Sequence, residues 1–131
     1  MESNKAYAIA GALLALAVLL GAFGAHALKD LLTSERLTTW ETAVQYHIWN
    51  SLGLLMVALI QDVKKVKLNW PFGFLLAGIF IFSGSLYILC ITDIGWLGAI
   101  TPIGGLSFIA GWSMFTWKMW NFDKPQASSA T

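Results

Sequence analysis

The chain has 131 residues, 57% of them hydrophobic and 11% charged, with a net charge of +1 and a mean hydropathy of +0.67. It is too apolar for an ordinary soluble domain, in which about a quarter of residues are charged. Its few scattered charges lack the basic face that nucleic acid requires, so nucleic acid is excluded as a partner. A single cysteine, Cys90, excludes an intrachain disulfide and a cysteine-built zinc or iron–sulfur site, and reads as a small apolar filler.

Four apolar stretches follow one another, at about residues 6–28, 43–60, 72–91 and 94–117. A bilayer core of roughly 30 Å takes about 20 apolar residues in a helix, so each stretch can span it. The fold class is therefore an all-α integral membrane four-helix bundle. Residues 1–122 form its single domain, and residues 123–131, with few groups to bury, form a flexible tail. The bilayer itself is the first partner.

The first stretch follows Lys5, and Ala25-His26-Ala27 imitates a signal-peptidase site. It outruns the ~7–15 apolar residues of a signal core and three more spans come after it, so it reads as a transmembrane helix. Next, Leu28, Leu31, Leu32 and Leu37 alternate with charged residues, a pattern suited to lying along the membrane surface. Ser34 or Thr38 is predicted to cap the second helix, with Thr38-Thr39-Trp40-Glu41 in the form of a capping box. Pro71 suits the first turn of the third helix. Only residues 92–95 join the third and fourth helices, which makes them antiparallel neighbours. In the fourth, Thr101-Pro102-Ile103-Gly104-Gly105 predicts an interruption or kink.

Lys5, Lys64, Lys65, Lys67, Lys118 and Lys124 fall on one side of such a bundle, and Lys29 and Arg36 on the other. The positive-inside rule then places both termini in the cytoplasm. Trp70, Trp117 and Trp120 are predicted to sit at the inner interface, and Trp40 and Trp96 at the outer one. Small residues four apart at Ala17/Gly21/Ala25, Gly73/Ala77 and Ser107/Gly111, together with Gly104, predict close helix packing without a wide pore.

Polar residues within the spans carry what chemistry there is. His26, Gln45, His47, Asn50 and Ser51 are predicted to share the outer half with Tyr87, Asp93 and Thr101. At 100° per residue, His47, Asn50 and Ser51 form one edge of the second helix, and Glu41 and Gln45 another. Polar groups in lipid are costly, so these residues either glue the bundle together or form a binding or conduction site. The His47 imidazole can exchange a proton near neutral pH or simply serve an interhelical hydrogen bond. Two histidines without a third ligand give no metal or haem site, and no other cofactor is implied. Ser83-Gly84-Ser85 lacks the Gly-x-Ser-x-Gly context of a nucleophile and reads as packing.

Four strings then stand together: Gly21-Ala-Phe-Gly-Ala-His-Ala-Leu28, Trp40-Glu-Thr-Ala-Val-Gln-Tyr-His47, Phe82-Ser-Gly-Ser-Leu-Tyr87, and Ile100-Thr-Pro-Ile-Gly-Gly105 followed by Gly111-Trp112. In them the chain resembles the YgdD/YwdK-like family of small membrane proteins, a domain of unknown function. The resemblance implies a multi-pass, four-helix protein of the bacterial inner membrane and transfers no catalytic residue. The expectation is a non-enzymatic accessory or structural component that binds lipid or membrane proteins, within a larger complex or as a homo-oligomer. A small transporter or channel-like protein using the polar cluster is the alternative, and a lipid-acting enzyme the third.

Overall fold

A computed structural model describes residues 1–124, so all of the predicted tail but Asp123 and Lys124 lies outside the described residues. Four helices make up the described chain, with no strand among those residues: α1 (Ser3–His26), α2 (Ser34–Lys64), α3 (Asn69–Thr92) and α4 (Gly95–Trp120). Each is long and apolar enough to cross a membrane.

The helix ends correct several sequence expectations. Thr33, rather than Ser34 or Thr38, caps α2, its hydroxyl accepting the Arg36 N–H at 3.2 Å. Thr38 lies inside the helix and donates to the Ser34 carbonyl, so the proposed capping box does not form. The reason is that the helix starts at Ser34, about two and a half turns before the apolar stretch that begins at residue 43. Lys65 ends α2 in the left-handed conformation, with φ of 53°, and the Gln61 side chain accepts the Leu68 N–H at 2.7 Å to hold the turn into α3. Asp93, with φ of 56°, ends α3 in the same conformation, one that short polar side chains tolerate.

Pro102 does not break α4. A 3₁₀ turn over Gly95–Ala99 leads into the α-helix Thr101–Trp120, and Pro102 falls in its first turn, where no intrahelical N–H is needed. The predicted interruption thus falls at the 3₁₀-to-α change at Ile100, just before Pro102, and α3 is irregular as well, passing through a π-helical turn at Ile79–Ser83. An added residue in one turn re-phases a helix. Here it sets the Phe82 backbone against Gly104 of α4, where a Cβ would collide with main chain, and it turns Ser83 toward α2.

α1 packs along α2, α2 along α3, and α3 along α4. The two middle helices are the most buried, and α1 and α4 flank them. The main core joins Ala10 and Leu13 of α1 to Leu54 and Val57 of α2, Leu75 and Ile79 of α3, and Phe108 of α4. Apolar association has no water to escape inside lipid, so close packing and hydrogen bonds must hold the helices. Aromatic rings supply the packing by filling glycine sites: Trp40 covers Gly24, Trp112 covers Gly53 and Phe108 covers Gly78.

Trp40 is therefore not an outer-surface anchor; it is 2% exposed, and its indole N–H donates to the Leu20 carbonyl at 2.9 Å. The small-residue stripes divide as well. Ala17 is buried, Gly21 faces Val44, and a Cβ on Gly111 would come within 3.0 Å of the Leu75 side chain. Ala25, Gly73 and Ala77 are exposed. Small size allows close approach, but only the three-dimensional arrangement decides whether a neighbour arrives.

Candidate functional site

Two polar contacts mark the ends of the bundle. At one end the Arg36 guanidinium pairs with Asp93 at 2.7 Å. At the other, Ser3 and Tyr7 of α1 each donate to the Asp62 carboxylate at 3.2 Å. Arg36 and Asp62 are 26 positions apart on one helix, about 39 Å at 1.5 Å per residue. His47 lies 11 positions from the first and 15 from the second, Ser51 15 and 11, and Asn50 is closer still to the middle. These three residues therefore sit near the middle of α2. The apolar stretch begins at residue 43, whereas α2 begins at Ser34 and Trp40 is already buried.

The mid-depth residues bind α2 to its neighbours. His47 Nδ1 and the Tyr87 hydroxyl of α3 are 2.9 Å apart, with the proton on either partner according to the imidazole tautomer. Asn50 donates to the Tyr46 carbonyl at 2.9 Å and accepts the Trp112 indole N–H of α4 at 3.1 Å. The Ser83 hydroxyl donates to the Ala43 carbonyl at 2.7 Å. His47 is 2% and Ser51 0% exposed, yet His47 Nε2 and Ser51 Oγ have no hydrogen-bond partner. Such buried, unpaired groups cost stability.

The other candidates lie elsewhere. His26 is exposed at the end of α1, whereas His47 is buried near the middle of α2 and bonds Tyr87, so the two histidines do not share a contact. Glu41 and Gln45 are exposed and, with Gly21, Gly24 and Ala25, line a separate groove of about 210 Å³ between α1 and α2. Asp93 belongs to the Arg36 pair, and the Thr101 hydroxyl bonds Ser85 at 2.7 Å across the α3–α4 junction. The nine candidates thus do not form one cluster. Sequence reasoning missed Trp40, Ser83 and Trp112 as bonding partners; a tryptophan inside an apolar span was the available signal for Trp112. Among the described residues no group of three or more His, Cys, Asp or Glu side chains is placed to hold a metal ion.

A larger feature, of about 680 Å³, opens on the outer side of α3 and α4. Its floor is made by Gly73, Ala77 and Ala110, and its walls by Trp70, Phe74 and Ile81 on α3 and by Ile103 and Leu106 on α4. The Ser107 hydroxyl in this lining is committed to the Phe74 carbonyl at 2.7 Å.

Four apolar helices, a basic end and a polar interior joined by hydrogen bonds define a small polytopic membrane protein. The chain belongs to the family described as "Protein of unknown function (DUF423)", which matches residues 20–105. It is 45% identical over 119 residues to a UPF0382 membrane protein of Staphylococcus haemolyticus, covering 90% of this chain and 98% of that one. It is 50% identical over 113 residues to the UPF0382 membrane protein YwdK of Bacillus subtilis, covering 84% and 92%. A UPF0382 membrane protein of Staphylococcus saprophyticus is 49% identical over 111 residues, again covering 84% and 92%. No solved structure matches the chain significantly.

Proposed function

We propose that the chain is a non-enzymatic component of the bacterial cytoplasmic membrane, with both termini in the cytoplasm, that binds lipid or other membrane proteins. The observation that carries this reading is how the interior polar groups are used. Trp40, Tyr87, Asn50, Ser83, Ser85 and Ser107 each hydrogen-bond to another helix, so most of the polar interior is spent on holding the bundle. The large recess is apolar and opens outward, as a surface for lipid or a partner does. The six lysines at the end that carries the N-terminus and Trp120 support the orientation.

A second reading, a small transporter or channel, is favoured by one observation: His47 Nε2 and Ser51 Oγ are unpaired at mid-depth, where ionisable residues commonly mark a transport path. Replacement of His47 or Asn50 by Ala separates the two. In vesicles loaded with a pH-sensitive dye, the binding reading expects no flux from the unaltered chain and a lowered unfolding midpoint in both variants. A proton flux that the unaltered chain supports, and that a normally folded His47→Ala variant loses, overturns it.

A further inference from the structure

We propose that the α3–α4 groove is a binding site for an anionic phospholipid, with an acyl chain in the groove and the headgroup phosphate on Lys67 and Lys118. This specifies the ligand of the binding reading above and rests on it.

The groove's dimensions select an acyl chain over a protein helix. On α3 it runs from Trp70 to Ile81, 11 positions or about 16 Å, which is close to half of a 30 Å hydrocarbon core and so to the depth of one leaflet. Its lining does not extend beyond Ile81 on α3, and at the next residue Gly104 of α4 lies against the Phe82 backbone. A spanning partner helix needs a surface along the whole bilayer, whereas a single acyl chain needs one leaflet. The lining chemistry agrees. Apolar side chains dominate it, and the Ser107 hydroxyl is already used by Phe74. A Cβ built on Gly73 would meet no atom within 4 Å, so the floor is open space.

The headgroup assignment comes from the open end. Trp70 stands there largely exposed, as an interfacial tryptophan does, directly after the α2–α3 turn that carries Lys67. The Lys118 ammonium of α4 reaches the same turn and donates to the Lys67 carbonyl at 2.6 Å. That uses one of its three donors and leaves the others available. At this end of the bundle Lys5 pairs with Glu2 and Lys65 with Asp62. Among the described residues, Lys64, Lys67, Lys118 and Lys124 pair with no carboxylate. Unpaired positive charge on the turn that leads into Trp70, next to a one-leaflet apolar groove, matches the two ends of an anionic phospholipid.

The test uses the full chain reconstituted in phosphatidylcholine vesicles containing a minor fraction of phosphatidylglycerol. It is then extracted in mild detergent, and the retained lipids are quantified by mass spectrometry. A lysine near an anionic lipid surface strengthens binding by about fivefold, so two predict roughly tenfold or greater enrichment of phosphatidylglycerol over the vesicle ratio. Lys67→Gln with Lys118→Gln should return the ratio to that of the vesicle. Gly73→Leu, which fills open space and should fold normally, should reduce the retention of both lipids. Retention at the vesicle ratio by the unaltered chain overturns the proposal, as does enrichment unchanged in the double Gln variant or retention unchanged in Gly73→Leu. If enrichment is absent but a membrane protein co-purifies from native membranes, this site fails and the binding reading stands. A His47-dependent proton flux defeats the binding reading itself.

Discussion

α2 meets α1 and α3 through side chains that both pack and hydrogen-bond: Trp40 fills Gly24 and donates to Leu20, Tyr87 meets His47, and Ser83 donates to Ala43. α3 meets α4 through glycine contacts, with Gly104 on the Phe82 backbone and Phe108 over Gly78, and through the Ser85–Thr101 and Ser107–Phe74 hydrogen bonds, and on its outer side it leaves an open groove. Both interfaces answer the same problem, since lipid supplies no hydrophobic drive to bring helices together. The first adds polar bonds at mid-depth, where a lost bond leaves a costly orphan. The second also brings main chain close to main chain, at Gly104 on Phe82, where a Cβ has no room. Substitutions should therefore act differently on the two sides.

The largest effect is expected at Gly104. A side chain there runs into the Phe82 main chain, and main chain cannot swing aside as a flexible side chain can. Gly104→Val should cost about 3 kcal/mol or prevent folding, at the upper end of what overpacking does. A titration from mild detergent into sodium dodecyl sulfate, followed by circular dichroism, reads the midpoint. A Gly104→Val midpoint equal to that of the unaltered chain would mean that α3 and α4 are not held by backbone approach.

Trp40 tests the other interface. In a water-soluble core, Trp→Ala costs about 3–5 kcal/mol, part of it for returning apolar surface to water. Inside lipid that part is absent and the cavity and lost indole bond remain, so about 2–3 kcal/mol is expected for Trp40→Ala in the same titration. A loss larger than that of Gly104→Val would reverse the ranking of the two interfaces.

Much of the architecture was legible in the chain, because the bilayer imposes a simple length rule on apolar stretches. The four helices and the fully helical class followed from Ala6–Leu28 and its three successors. The start of α2 did not. Its first turns are polar, so hydropathy alone began the stretch at residue 43 rather than at Ser34. The Gly73/Ala77 and Ser107/Gly111 stripes look alike as sequence, yet Gly111 packs on Leu75 while Gly73 faces the groove. The π turn at Ile79–Ser83 was not legible either, since the string Ile-Phe-Ile-Phe-Ser carries no glycine or proline to announce it. Trp40 was misplaced for a related reason: tryptophan's preference for interfaces is a tendency of surface positions, and a neighbouring glycine, Gly24, had made room for it inside.

The smallest effect is expected at Ser83, and it sharpens the contrast. Its hydroxyl donates to the Ala43 carbonyl at 2.7 Å and is fully buried. In water this would suggest a loss near 1 kcal/mol on removal. In a membrane protein the average measured coupling of such a bond is only about 0.6 kcal/mol, because the unfolded helices find other partners within the bilayer. The Ala43 carbonyl is moreover a backbone acceptor inside α2, where the helix already supplies its own hydrogen bonding. Ser83→Ala should therefore shift the detergent midpoint by an amount corresponding to about 0.6 kcal/mol. A shift several times larger would mean that the hydrogen bonds at mid-depth, rather than the ring-into-glycine contacts beside them, hold α2 to its neighbours; the cost of Trp40→Ala would then have to be reassigned from the lost ring to the lost indole bond.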